Sequence, residues 1–182
     1  MGQPRLSTDI LIFVSIKSTF IMIKEVKGDI LLSESKVIAH SVAPMDHFDS
    51  GLALSLREMY PAMVKDFRHY CHGHHPKTGE IWTWGGVGGV QIVNLMAQEP
   101  AESAKGGHPG KASISSLNKT LKELSKFIKK EKPDSVAIPK LATGVGGLDW
   151  DDVKDSIETY LGDLDTNVIV YTTYVKDHKA EE

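Results

Sequence analysis

Two stretches of this chain carry residues whose types and spacing could do chemistry. Residues 135–153 read SVAIPKLATGVGGLDWDDV. A buried strand (Val136, Ala137, Ile138) leads into a loop holding Thr143, Gly144, Val145, Gly146 and Gly147, and a helix opens at Asp149. Glycines take backbone angles that other residues resist. The loop amides, with the free N–H groups of a first helical turn, can therefore converge on one phosphate or diphosphate. The second stretch holds His40, Asp46, His47 and Asp49. Imidazole titrates near neutrality and a carboxylate can orient it, so the group is equipped for general acid–base work. A lone histidine closing a strand is as readily a structural residue, and spacing alone balances the two readings.

Other positions are ambiguous in the same way. Asp29 sits in a Gly-Asp-Ile turn at the end of a strand. It can bond nearby backbone, the simpler reading in isolation. It can also accept from an amino group such as that of adenine, because ligands of open α/β sheets collect at the C-terminal ends of strands. Gly51, Leu52 and Ala53 begin a helix and offer a second anion-friendly start. Asn94 lies inside a strand, as a ladder-edge residue or a ligand contact. His69, Cys71, His72, His74 and His75 have zinc-compatible types. They crowd the end of a helix, where histidines commonly face the dipole, so no metal is assigned. Nothing in sequence marks a base that would activate Cys71.

These residues need a scaffold, and the hydrophobic patterning supplies one. Strands are predicted at 21–26, 36–41, 80–84, 90–97, 135–138 and 167–172. Helices are predicted at 51–60, from Pro61 onward, over 114–128 (Ile114, Leu117, Leu121, Leu124 and Ile128 at helical spacing) and after Asp149. Glycines 85, 86, 88 and 89 lie between two β-type runs and read as a hairpin turn, since neither Lys-Ser/Thr nor a helix follows as in a phosphate loop. Residues 99–111 form a loop long enough to be a functional flap. Alternating strands and helices imply an α/β fold: a three-layer α/β/α sandwich on a mixed, largely parallel sheet. The divisions are an N-terminal extension over 1–21, read as an extra strand; one domain over 22–176; and a charged tail over 177–182, expected to fray.

The chain has 182 residues, 41% hydrophobic and 25% charged, with a net charge of -3 and one cysteine. That composition suits one soluble domain in a reducing, cytoplasmic setting. It gives no strong drive toward nucleic acid, so anion binding must be local. The lysines at 119, 122, 126, 129 and 130 read as a solvated helix face. The apolar run at 10–16 is too short to cross a membrane.

Taken in order, the motifs resemble the macro domain, a module that binds ADP-ribose. The resemblance rests on Gly28-Asp29-Ile30, on Gly51-Leu52-Ala53-Leu54 with Tyr60-Pro61, on the run from Ile138-Pro139 through Gly144-Val145-Gly146-Gly147-Leu148-Asp149-Trp150, and on the strand near Val168. It implies that Asp29 and the Ile30 amide bind adenine, with Tyr171 or Tyr174 at its border. It implies that Thr143, Gly144, Val145 and Gly146 cradle the diphosphate opposite Gly51, Leu52 and Ala53. His40-Ser41 and Asn94 are similar to the branch holding ADP-ribose 1''-phosphate phosphatases and the terminal ADP-ribose glycohydrolase. Gln98 stands near that branch's glycohydrolase lysine, and Gly146 where the protein-directed enzyme has an aspartate. The implied activity is hydrolysis of ADP-ribose 1''-phosphate with His40, Asp46 and Asp49 as catalytic residues and no cofactor. The alternatives are a non-catalytic reader and a glycohydrolase using other residues, with ADP-ribose or an ADP-ribosylated macromolecule as the partner.

Overall fold

The computed structural model describes residues 23–103 and 107–182; the predicted extra strand in 1–21 lies outside them. Strands β1 (Ile23–Gly28), β2 (Val37–Ser41), β3 (Ile81–Gly85), β4 (Gln91–Leu95), β5 (Ser135–Pro139) and β6 (Asn167–Tyr174) alternate with helices α1 (Gly51–Met59), α2 (Pro61–His74), α3 (Ile114–Glu131) and α4 (Trp150–Leu161). They form one sheet in the order β1-β6-β5-β2-β4-β3. Every neighbouring pair is parallel except β3 with β4, which form the antiparallel hairpin.

Side-chain alternation sorts the core onto two faces. In β5, Val136 and Ile138 join Leu117, Leu121, Leu124 and Ile128 of α3 and Val153, Ile157 and Leu161 of α4. Ala137 faces the other way, with Ile38, Ile92 and Ile169, toward Leu56 of α1 and Met63, Val64, Phe67 and Cys71 of α2. Both helical layers thus bury an apolar stripe on one sheet, which is the expected sandwich.

Most strand boundaries shift by one or two residues from the sequence expectation, and three differences bear on the site. β4 spans 91–95 rather than 90–97, because its register with β2 ends at Leu95. β6 runs on to Tyr174, pairing with Gly28 of β1. The tail over 177–182 does not fray. It folds back across the end of β1, where Ala180 is buried and the Glu182 carboxylate accepts from Ser33 Oγ and Tyr171 Oη. Its charges hid this, since the docking uses backbone groups and hydroxyl partners far away in sequence.

Candidate functional site

The C-terminal ends of β1, β2 and β5 open on the same side of the sheet, at Gly28, Ser41 and Pro139, and a continuous cleft lies over them. One chamber, of about 340 Å³, is lined by Asp29, Ile30, Leu31, Ser55, Tyr171 and Tyr174 among others. The second, of about 370 Å³, is lined by His40, Ser41, Asp46, Ser50, Gln98, Pro109, Lys140, Leu141, Ala142, Gly144, Val145 and Gly146 among others; Thr143 is not part of this wall, and its hydroxyl donates to Lys140 O at 2.9 Å. Gly51, Leu52 and Pro139 belong to both, so they form the waist. Ligands of parallel α/β sheets bind at this position.

Two runs of backbone donors border the cleft, one at the waist and one in the wall of the second chamber. The N-cap of α1 is Ser50, whose side chain makes no capping bond, and the Gly51, Leu52 and Ala53 amides stand at the open start of the helix. The amides of Thr143, Gly144, Val145 and Gly146 also have no acceptor among the described residues; the loop is closed instead by Gly147 N–H to Gly144 O (3.0 Å) and Leu148 N–H to Ala142 O (3.0 Å). Free N–H groups at a helix start and a run of loop amides together form an anion cradle. Gly146 is fixed by crowding: a Cβ there would sit 2.5 Å from the Ala142 carbonyl oxygen. The loop therefore excludes an aspartate at 146 for steric reasons.

The α4 start does not take the role its sequence suggested. Asp149 accepts from the Asp151 amide at 2.9 Å, and Asp151 and Asp152 occupy the first turn. Its dipole already has carboxylates, and none of its residues lines the cleft. The Lys140 ammonium lies 5.5 Å over the Trp150 ring instead.

His40 lines the second chamber yet is only 2% exposed. Its Nε2 lies 2.7 Å from Asn94 Oδ1, and Asn94 Nδ2 donates to Trp82 O at 3.3 Å. That second bond orients the amide oxygen toward the ring. Nε2 then carries the proton and Nδ1 keeps a lone pair. Burial holds His40 down to about 4, against a partial upward pull from Asn94, so the ring is neutral at pH 7. Asn94 is wholly buried and lines neither chamber. Its hydrogen bond places it to orient His40.

Asp46 lines the chamber too, but its oxygens accept from the Ala43 and Phe48 amides at 3.1 and 2.9 Å. Burial raises its carboxyl above the usual range, with those two bonds opposing. Asp49 is absent from the cleft wall; its buried Oδ1 lies 3.2 Å from His108 Nδ1 without meeting hydrogen-bond geometry. Asp29 accepts from the Leu31 and Asp177 amides, both at 3.1 Å. The Ile30 amide has no acceptor among the described residues. Tyr171 lines the first chamber, its phenol pushed up chiefly by burial and then by Glu182.

Ser50, Pro109 and Lys140 were not singled out from sequence. Lys140 directly follows the strand-ending Pro139, a position where ligand contacts collect, so its signal was present. Pro109 comes from the predicted flap. Gln98 has its side chain engaged at both ends, with Ser41 Oγ (3.2 Å) and Gly110 O (3.1 Å). The histidines at 69, 72, 74 and 75 are exposed at the end of α2 while Cys71 is buried. Among the described residues no three metal-ligating side chains converge, and no helix is long and apolar enough to cross a membrane.

A model of the macro domain matches residues 39–157. The chain belongs to the macro domain family. Relatives of this macro domain include proteins named DNA ADP-ribosyl glycohydrolase. That of Mycobacterium tuberculosis is 25% identical over 154 residues, covering 82% of this chain and 42% of the relative. That of Thermus aquaticus is 24% identical over 144 residues, covering 79% and 39%. The chain thus spans less than half the length of these curated relatives. Among solved structures, the macrodomain of Thermus aquaticus DarG superposes with a TM-score of 0.70 at 23% identity, covering 82% of this chain and 97% of that one. The Thermosipho africanus DarTG in complex with ADP-ribose gives 0.70 at 20% identity, covering 86% and 42%.

Proposed function

We propose that this macro domain binds ADP-ribose or an ADP-ribosyl derivative along the cleft and hydrolyses the group on the distal ribose, in the first instance the phosphate of ADP-ribose 1''-phosphate. The observation supporting the reading is the pair of amide runs without an acceptor among the described residues, one starting at the waist with Gly51 and Leu52 and the other at Gly144 to Gly146 in the wall of the adjoining second chamber. A diphosphate with one bulky group on each side has that shape. Adenine enters the first chamber, where Asp29 accepts from its amino group and the Ile30 amide donates to a ring nitrogen. The distal ribose enters the second chamber, beside His40, Ser41, Asp46 and Lys140.

In this reading His40 acts as a base. Its neutral ring offers Nδ1 to a water, Asp46 orients that water, and the water oxygen attacks phosphorus. The P–O bond to the 1''-oxygen breaks, inorganic phosphate leaves with the water oxygen, and the proton that His40 took passes to the departing 1''-oxygen, which ADP-ribose keeps as its hydroxyl. At neutral pH the resting ring has no proton on Nδ1, so His40 enters the step as a base and donates only after it has taken the water proton. Asp49, outside the cleft wall, is given no role in this reading.

A second reading, glycohydrolysis of an ADP-ribosylated macromolecule, draws on the names of the curated relatives. Titration calorimetry with ADP-ribose tests the binding. Incubation with ADP-ribose 1''-phosphate and with an ADP-ribosylated oligonucleotide separates the chemistries by product: inorganic phosphate for the first reading, free ADP-ribose for the second. Binding without either product identifies a reader. Equal rates for wild type and His40→Ala would remove His40 from the mechanism.

A further inference from the structure

We infer that residues 175–182 are a positioning strap for the adenine end of the cleft, built into the chain to hold Asp29 and Tyr171 in place. The inference rests on the ADP-ribose reading above and adds a specificity element to it. The strap starts where β6 ends. Val175 N–H donates to Gly28 O at 3.1 Å, and the Asp29 amide donates back to His178 O at 2.7 Å. The Asp177 amide donates to Asp29 Oδ2 at 3.1 Å while the Leu31 amide holds Oδ1. Asp29 is thus gripped through its backbone and through both carboxylate oxygens.

Glu182 secures the far end. Its carboxylate accepts from Ser33 Oγ, from the Glu34 amide (3.0 Å) and from the Tyr171 hydroxyl. The last of these ties the strap to a wall of the first chamber. Ala180 is 6% exposed. Beneath it Gly28 has no room for a side chain: a Cβ would lie 2.8 Å from His178 O and 2.9 Å from Ala180 Cβ. Steric fit and hydrogen bonding, two independent observations, place the strap in one seat.

No strap residue lines the chamber, so it acts through Asp29 and Tyr171. A carboxylate held through both oxygens keeps its remaining lone pairs in a fixed direction, which favours one arrangement of base donors over others. The Lys179–Glu34 pair is exposed on both sides and adds little.

Calorimetry with two ligands, ADP-ribose and ribose 5-diphosphate, tests the inference on wild type, Glu182→Ala and Glu182→Gln. Thermal melts confirm that each variant is folded. We expect Glu182→Ala to weaken ADP-ribose about five- to tenfold, the scale of one charge-assisted hydrogen bond, with binding of the base-free ligand unchanged. Glu182→Gln, which keeps an acceptor for Tyr171, should recover most of the loss. Equal weakening of both ligands, or no change in either, would overturn the strap and leave the ADP-ribose reading standing. Failure of wild type to bind ADP-ribose overturns both.

Discussion

The starts of α1 and α4 lie on either side of the glycine loop and are chemically opposite. Asp149 caps α4, and Asp151 and Asp152 follow in its first turn. α1 begins at Gly51 with no side-chain cap and no acidic residue in its first turn. The first is a finished helix end, its dipole met by the protein's own carboxylates. The second is left open and borders the cleft. A helix start is therefore an anion site only where the sequence withholds its cap, and a motif's position beside a glycine loop does not decide which start that is.

The contrast can be broken at four points. The largest effect is expected at the loop both helices flank. In Gly146→Ala the new Cβ meets the Ala142 carbonyl, and displacing that backbone should cost about 2–3 kcal/mol of stability. The same shift should weaken ADP-ribose about a hundredfold by calorimetry. Unchanged affinity would mean that these amides do not hold the ligand.

A second effect comes from His40, behind the α1 side. Its folded pKa of about 4 lies below the ordinary 6.5, so the folded state favours the neutral ring. That contribution is fully present above pH 6.5 and is lost as pH falls toward 4, by about 3 kcal/mol. Asp46, shifted upward, gains stability as pH falls and opposes it. Denaturant titrations at pH 7 and 4.5 should show a steeper loss for wild type than for His40→Gln.

Ser50→Asp would give α1 the cap that α4 has. Stability should rise by about 0.5–1 kcal/mol while ADP-ribose affinity falls about tenfold, because a carboxylate then competes with the diphosphate. Opposite signs in a melt and a calorimeter would show that the missing cap serves binding. Asp149→Ala, the smallest change, should cost about 1 kcal/mol and leave affinity unchanged. A loss of affinity there would restore α4 to the site.

Much of this architecture was legible because it is local. Side-chain alternation marked β5, helical spacing marked α3, and glycines between two β-type runs marked the β3–β4 hairpin. The loop glycines and the open start at Gly51 were also visible. Less visible were contacts whose partners are distant in sequence. Asn94 could be read as strand or ligand until its bonds to His40 and Trp82 made it an orienting residue. Asp49 looked like a partner for His40 because it is close in sequence, but it faces His108.

The sequence by itself determined the elements and the order of the motifs, since each depends on periodicity and on residue types within a few positions. Only the tertiary structure decided which amides remain free, which carboxylates are already bonded and where the charged tail rests. Those outcomes depend on which groups meet across the fold. Glu182 and Ser33 stand 149 positions apart, yet they share one hydrogen bond.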